Sequence, residues 1–368
     1  MSSLLSDSRG PAGATFLDYG SATAARLLDG AGMDAERGRD ALRRMFSPWG
    51  RREITERPEW YSDVCADGSP IEFSAAFSAD SVEIRVLVEA VPDEPDTRAA
   101  QRSAAEALHG LTRGCGAAGE RLAAVWDLFL PDEQPTGFAV MYAGIFAASG
   151  APEFKVYLNP TANTRMTGAA RVREAMDRLG FGKGWEAVRA YARRGFDLDR
   201  IVYFGLDLLD GPESRIKVYF RHYDIAPAEL DARMEVSDEH EAGHLSALCR
   251  QLTGRPGNLR EQPLVSNLTF TAAGGHIPVS ATVYVPLWLY AESDRIIRDR
   301  ISAVMAELGL PDDRYRELLS RVARRPLSDG RGIHTYASAR VQRGRPRMST
   351  YWSSELYDRY PPARYQGR

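Results

Sequence analysis

Four tyrosines in strand-forming runs recur along this chain. Tyr157, Tyr219, Tyr284 and Tyr351 are spaced by 62, 65 and 67 residues. Their runs are FKVYLNP at 154–160, RIKVYF at 215–220, SATVYVP at 280–286 and RMSTYW at 347–352. A period this long exceeds that of most solenoids, but it still marks a repeated supersecondary unit. Each interval reads as helix, helix, strand, strand. Strands are expected at 70–78, 82–89, 137–147, 153–158, 200–208, 214–221, 264–272, 278–287, 333–341 and 348–353. The turns Ala79-Asp80-Ser81, Asp210-Gly211 and Gly274-Gly275 join three of the pairs as hairpins. Helical patterns fall at 21–31, 34–46, 97–115, 120–130, 164–179, 185–194, 227–234, 238–252, 293–308 and 312–323. Asp34 is an N-cap, and Pro48 and Leu130-Pro131 are stops.

Helices between strands usually signal parallel crossovers. Here each helix pair links one hairpin to the next, which favours an antiparallel sheet. Ten such strands curl, and closure removes both edges. The expectation is an α+β fold, a ten-stranded antiparallel β-barrel surrounded by a ring of α-helices. One domain would span 16–353, after a loose leader at 1–15 and before a polar tail at 354–368.

Side chains alternate between the two faces of a strand. Lys155 and Tyr157 therefore share a face, as do Arg215, Lys217 and Tyr219. The chain has only three lysines, Lys155, Lys183 and Lys217, beside 44 arginines. Two of the three lie in these runs, so an ammonium point charge is specified there. A lone Lys in a strand is often just a blunted edge; its repetition argues against that. The inward set expected for a closed barrel is Glu72, Arg85, Lys155, Tyr157, Arg215, Lys217, Tyr219, Tyr284, Tyr336 and Tyr351. Such a lumen is polar rather than packed, and it calls for a ligand.

Formal net charge is −3, so no overall basic field draws nucleic acid. No segment approaches the ~20 apolar residues of a membrane span, and the N-terminus lacks a signal-peptide pattern. Cys65, Cys115 and Cys249 are isolated and odd in number, which suggests reduced thiols and a cytoplasmic protein. The sequence carries no sign of oligomeric state.

Clustered Arg and Lys suit a phosphate or diphosphate. A ring of aromatic faces suits a cation and excludes water. An allylic diphosphate, which ionises into both, needs the two together. Glu72 can accept a hydrogen bond from an electron-rich nucleophile. Two other readings compete. His240-Glu241-Ala242-Gly243-His244 matches HExxH, in which two His on one helical turn bind zinc. Gly243 weakens that helix by about 1 kcal/mol, no third ligand lies nearby, and His276 is distant. The other alternative is a non-catalytic barrel that binds an anionic ligand.

From about Phe16 to Trp352 these residues resemble the dimethylallyltryptophan synthase superfamily of aromatic prenyltransferases, particularly its bacterial indole-prenylating members. That resemblance implies the ABBA or PT barrel. It implies that Glu72, in PIEFS, accepts the indole N–H. Arg85, Lys155, Arg215 and Lys217 match the diphosphate-binding cations. Tyr157, Tyr219, Tyr284, Tyr336 and Tyr351 match the tyrosine shield. Dimethylallyl diphosphate would be the donor and L-tryptophan or another indole the acceptor, with no metal cofactor and no Mg²⁺ requirement. A tyrosine or indole-peptide acceptor stays open. Secondary metabolism of the alkaloid type is the family's setting. The sequence departs from the family in three places. Thr282 replaces a glutamine common in fungal members. The late diphosphate-binding arginine is matched by Arg340, with Arg343 nearby. The lysine associated with fungal C4 prenylation has no counterpart in 138–148, which favours C6 over C4.

Overall fold

In the first strand, β1 (Ile71–Phe77), Ile71, Phe73, Ala75 and Phe77 join the hydrophobic core, while Glu72 faces a central cavity. The same alternation runs through β2 (Val82–Glu89), β3 (Val140–Phe146), β4 (Glu153–Leu158), β5 (Asp199–Asp207), β6 (Arg215–His222), β7 (Leu264–Thr271), β8 (Ser280–Pro286), β9 (His334–Gln342) and β10 (Arg345–Ser353). Each strand pairs antiparallel with its neighbours in the chain, and β1 pairs with β10, so the sheet closes into a barrel. All ten expected strands are present, within a few residues of their expected ends. The computed structural model describes residues 11, 13–132, 138–237, 240, 242–342 and 344–357. Most of the expected leader, the tail from 358, Asp238, Glu239, Glu241 and Arg343 lie outside them.

Ten α-helices surround the barrel among the described residues: α1 (Phe16–Gly30), α2 (Ala35–Met45), α3 (Thr97–Gly114), α4 (Glu120–Ala123), α5 (Gly168–Arg178), α6 (Trp185–Tyr191), α7 (Pro227–Arg233), α8 (His244–Thr253), α9 (Asp294–Glu307) and α10 (Asp313–Val322). Their starts follow capping chemistry. Thr15, Asp34, Asp96 and Thr167 each accept a backbone N–H of the first turn. The helix expected at 238–252 begins only at His244. Gly243 lies before it at φ +85°, and the Asp231 carboxylate accepts the N–H groups of Gly243 and Leu245. The helix expected at 120–130 is α4 followed by a 3₁₀ turn at Trp126–Phe129.

Buried polar pairs lie behind the barrel wall. His222 Nδ1 lies 2.8 Å from Asp199 Oδ1, and its Nε2 lies 2.7 Å from Ser266 Oγ. His334 bridges Asp294 and Tyr315 in the same way, at 2.8 and 2.9 Å. Each group is satisfied, as burial requires. Among the described residues no helix is long and apolar enough to cross a membrane.

Two β-bulges break the alternation at the lumen. Between β9 and β10 the register jumps from Ala337↔Thr350 to His334↔Trp352, so Thr335 and Tyr336 together oppose Tyr351. Between β5 and β6 it jumps from Ile201↔Phe220 to Tyr203↔Tyr219. The first lets Thr335 and Tyr336 both face the cavity, where strict alternation would send one of them outward; the second takes Ile201 off the inner face that Tyr203, Gly205 and Asp207 share and into the core.

Candidate active site

Strand β6 sets out the site along one face: Arg215, Lys217, Tyr219, Arg221. Closure of the barrel extends each position into a layer. The first layer is cationic. Lys217 lies opposite Gly205 and Thr269, and Arg215 lies opposite Thr271. Arg215 Nε donates to Asp207 Oδ2 at 2.6 Å, and Lys155 Nζ lies 3.2 Å from Asp207 Oδ1. Across the lumen, Arg85 and Arg347 share Glu83, at 3.0 and 2.5 Å. Arg340 donates to Ser280 and Thr282 at 3.4 and 3.1 Å. Six cations thus share this layer, and four of them, Lys155, Arg215, Arg85 and Arg347, pair with Asp207 or Glu83.

The electrostatics reflect that excess. Burial pulls the Lys155 ammonium down to about 8; Arg215 and Arg85 push the same way, while Asp207 resists. Burial pulls Lys217 well below the ordinary lysine range, helped by Lys155, Arg215 and Arg340. Burial alone would raise Asp207, but Lys155 and Arg215 hold it down to about 2. A polyanion entering this layer would relieve the repulsion and favour both ammonium forms.

The second layer is aromatic. Ring centroids of Tyr157 and Tyr219 lie 5.8 Å apart, Tyr203 and Tyr219 5.8 Å, Tyr219 and Tyr284 6.0 Å, and Tyr284 and Tyr351 5.7 Å. Burial raises the phenol pKa of Tyr157, Tyr203, Tyr219 and Tyr284, so these rings stay neutral. Tyr284 Oη accepts from Asn267 Nδ2 at 2.7 Å.

Beyond the rings lies a cavity of about 770 Å³, lined by the tyrosines and by Glu72, Leu87, Met141, Thr335, Tyr336 and Arg221 among others. Glu72 is buried, and the Thr335 hydroxyl donates to its Oε2 at 2.8 Å. Burial pushes its carboxyl up to about 8 against that hydrogen bond. Tyr336 lines the cavity at this end, its hydroxyl accepting from Gln262 Nε2 at 2.9 Å.

The barrel therefore brings together the expected residues: Arg85, Lys155, Arg215, Lys217 and Arg340 at one end, Tyr157, Tyr219, Tyr284 and Tyr351 across the middle, and Glu72 with Tyr336 beyond. Sequence reasoning passed over Asp207, Glu83, Arg347, Tyr203, Thr335, Arg221 and Gln262. The alternation that found Tyr219 also reaches Arg221 two residues on. On β5 the same alternation runs from Asp207 through Gly205 to Tyr203; Thr335 had no such signal, because a bulge places it.

The histidine motif does not form a helical turn. His240 precedes α8, and left-handed Gly243 intervenes before His244 opens the helix. The two imidazoles thus lack the i, i+4 helical face that the zinc motif requires. His276 sits exposed in the loop between β7 and β8. Among the described residues, no three His, Cys, Asp or Glu side chains are grouped to hold a metal ion.

Comparison with known proteins gives this arrangement a family. The model of the tryptophan dimethylallyltransferase family matches residues 39–317. The chain is 33% identical to the 6-dimethylallyltryptophan synthase of Micromonospora olivasterospora, solved in complex with DMASPP and Trp. That superposition has a TM-score of 0.88 and covers 95% of this chain and 100% of the other. The prenyltransferase PriB, in a ternary complex with L-tryptophan and dimethylallyl thiolodiphosphate, is 29% identical with a TM-score of 0.84, covering 95% and 99%. The 5-dimethylallyltryptophan synthase of Streptomyces coelicolor is 27% identical with a TM-score of 0.82, covering 94% and 99%. The barrel is the ABBA or PT barrel of these enzymes, and the chain belongs to the tryptophan dimethylallyltransferase family of aromatic prenyltransferases.

Proposed function

We propose that this protein transfers the dimethylallyl group of dimethylallyl diphosphate to C6 of the indole ring of L-tryptophan or a related indole, without a metal ion. The observation that carries the reading is the layering of the lumen: cations, then aromatic faces, then a buried carboxylate. Arg85, Lys155, Arg215, Lys217 and Arg340 hold the diphosphate. As the C1–O bond breaks, its electron pair leaves on the diphosphate, and the fixed cations stabilise the growing charge. They supply the charge that Mg²⁺ supplies in other prenyl-transferring enzymes.

The allylic cation forms against Tyr157, Tyr219, Tyr284, Tyr336 and Tyr351, with Tyr203 completing the wall. Ring quadrupoles attract it, and the packed rings keep water away. Glu72 accepts the indole N–H, which orients the ring and raises its electron density. Holding the reacting carbons at contact distance supplies much of the rate. A π electron pair of the indole then forms the C–C bond. The arenium ion gives up its C6 proton, through water, to the Glu72 carboxylate. Two features support C6 over C4: β3 (VMYAGIF) has no lysine, and the chain is 33% identical to a relative named as a 6-dimethylallyltryptophan synthase.

The test is mass spectrometry of a reaction with dimethylallyl diphosphate, L-tryptophan and excess EDTA, followed by NMR of the product. A product heavier by one prenyl unit and substituted at C6 is expected. Absence of product from tryptophan and from a panel of indoles and phenols, with or without Mg²⁺, would overturn the reading. Activity that is lost in EDTA and restored by Mg²⁺ would overturn the metal-free mechanism alone.

A further inference from the structure

Lys217 is a cation set among cations. On the inner face of β6 it lies between Arg215 and Tyr219. The residues opposite it, Gly205 on β5 and Thr269 on β7, carry no charge. Lys155 of β4, Arg215 and Arg340 of β9 act on it with like sign, and Asp207 of β5 with opposite sign. Asp207 is already taken: Arg215 Nε donates to its Oδ2 at 2.6 Å, and Lys155 Nζ lies 3.2 Å from its Oδ1. Glu83 of β2 is held by Arg85 and by Arg347 of β10. Arg340 donates to the hydroxyls of Ser280 and Thr282 on β8. The phenols of Tyr157 and Tyr219 stay neutral. Among the described residues the Lys217 side chain makes no hydrogen bond and no ion pair.

Taking an ammonium out of water without a counter-charge is costly. A guanidinium would have to bear that cost, because it keeps its proton, whereas an ammonium can shed it. The chain uses lysine at only three places beside 44 arginines. This one stands where losing a proton relieves repulsion from three neighbours. Burial first, then Lys155, Arg215 and Arg340, pull it well below the ordinary lysine range against Asp207. Lys155 differs: it has the Asp207 carboxylate beside it and is pulled down only to about 8. A diphosphate ester carries about three negative charges above pH 7. Within this layer it gives Lys217 the counter-charge that the protein withholds.

We propose that Lys217 couples donor binding to proton uptake: it stands as a neutral amine in the empty barrel, takes a proton from solvent as the diphosphate of the donor binds, and returns it when the product diphosphate leaves. The proton joins the Nζ lone pair, and no other bond changes. This rests on the reading of the cation layer as the diphosphate site. It adds a pH dependence that a layer of arginines would not give. Binding that takes up a proton weakens as pH rises, by about tenfold per pH unit for one proton, across the range in which the empty site holds the amine.

The test is calorimetry of dimethylallyl thiolodiphosphate binding at about pH 7.5 in buffers of different ionisation enthalpy, which reads the number of protons taken up. Lys217→Arg keeps the charge and does not titrate, so it should take up about one proton fewer than the wild type. Lys155→Arg should lose the smaller part, because Lys155 is largely charged at that pH. In parallel, the wild-type KM for dimethylallyl diphosphate should rise with pH by up to about tenfold per unit between about pH 7 and 9, and the rise should flatten in Lys217→Arg. Equal uptake by the wild type and Lys217→Arg would overturn the inference while diphosphate binding stands. So would a larger loss in Lys155→Arg than in Lys217→Arg. If Lys217→Arg does not bind the analogue, the wild type decides alone: binding without proton uptake, or a flat KM, overturns the inference, and uptake with a rising KM supports it. A wild type that binds neither the analogue nor dimethylallyl diphosphate would instead remove the prenyl-transfer reading, and this inference with it.

Discussion

Glu72→Gln keeps the side chain's shape and its capacity to accept a hydrogen bond, and it removes the charge. The Glu72 carboxyl is pushed up to about 8 by burial, with only the Thr335 hydroxyl opposing. At pH 7 roughly one such carboxyl in ten is therefore ionised. If the carboxylate is the form that accepts the indole N–H, wild-type kcat/KM climbs about tenfold per pH unit below 8 and levels off above it. In Glu72→Gln the rising limb vanishes and the plateau falls by ~100-fold, the range for a lost acid–base or charge-assisted group. Stability moves the opposite way. The folded carboxyl titrates above its ordinary value, so folding resists ionisation. The wild type loses stability as pH rises from about 4.5 to about 8, by at most ~1.4 kcal/mol per unit. Glutamine carries no such penalty, so the Tm of the variant should gain on the wild type between pH 5 and 9. The assay is kcat/KM by chromatographic product quantitation at saturating donor, from pH 5.5 to 9.5, with thermal unfolding in the same buffers. A flat wild-type profile, or a variant within a few-fold of wild type throughout, would refute the role of Glu72. A wild type that gained stability on the variant with rising pH would refute the burial argument.

Thr335→Val removes the donor that favours the Glu72 carboxylate, so the acid limb should shift upward by ~1 pH unit; an unmoved limb would disconnect the two residues. Asp207→Asn leaves Lys155 and Arg215 without their shared counter-charge, so its Tm should fall, and inorganic diphosphate should raise it more than it raises the wild type's. Equal shifts would show that Asp207 does not hold the anion-binding cations together. Tyr203→Leu opens the aromatic wall, so the ratio of dimethylallyl alcohol to prenylated product should rise several-fold by product analysis. An unchanged ratio would remove Tyr203 from the shield.

Much of this site is local in origin. Strand alternation alone put Lys155 with Tyr157, and Arg215 with Lys217 and Tyr219. The repeat of about 65 residues implied five similar hairpins, and closure followed because an edge with unpaired N–H and C=O groups is costly. Capping residues such as Asp34 and proline stops such as Pro48 are likewise short-range signals. HExxH is also local, and the helix expected over it at 238–252 was placed too early for that reason. The motif presumes one helical turn, but Gly243 in the left-handed region and the long-range cap from Asp231 start α8 at His244 instead.

The remainder depends on contacts between residues far apart in the chain. A bulge at β9 turns Thr335 into the lumen beside Tyr336, and a bulge is a property of two paired strands, so neither strand shows it alone. Asp207 becomes a partner of Lys155 only because β4 and β5 lie side by side, 52 residues apart in register. Arg221 was in plain view on the face of β6, yet only closure brings Tyr336 of β9 near it. The sequence by itself determined most of the side chains that point inward, since away from the bulges that depends on a period of two residues. Only the tertiary structure decided which of them are paired, which are left unsatisfied, and how far Glu72 is driven from its ordinary pKa. Those properties depend on burial and on charges contributed by all ten strands at once.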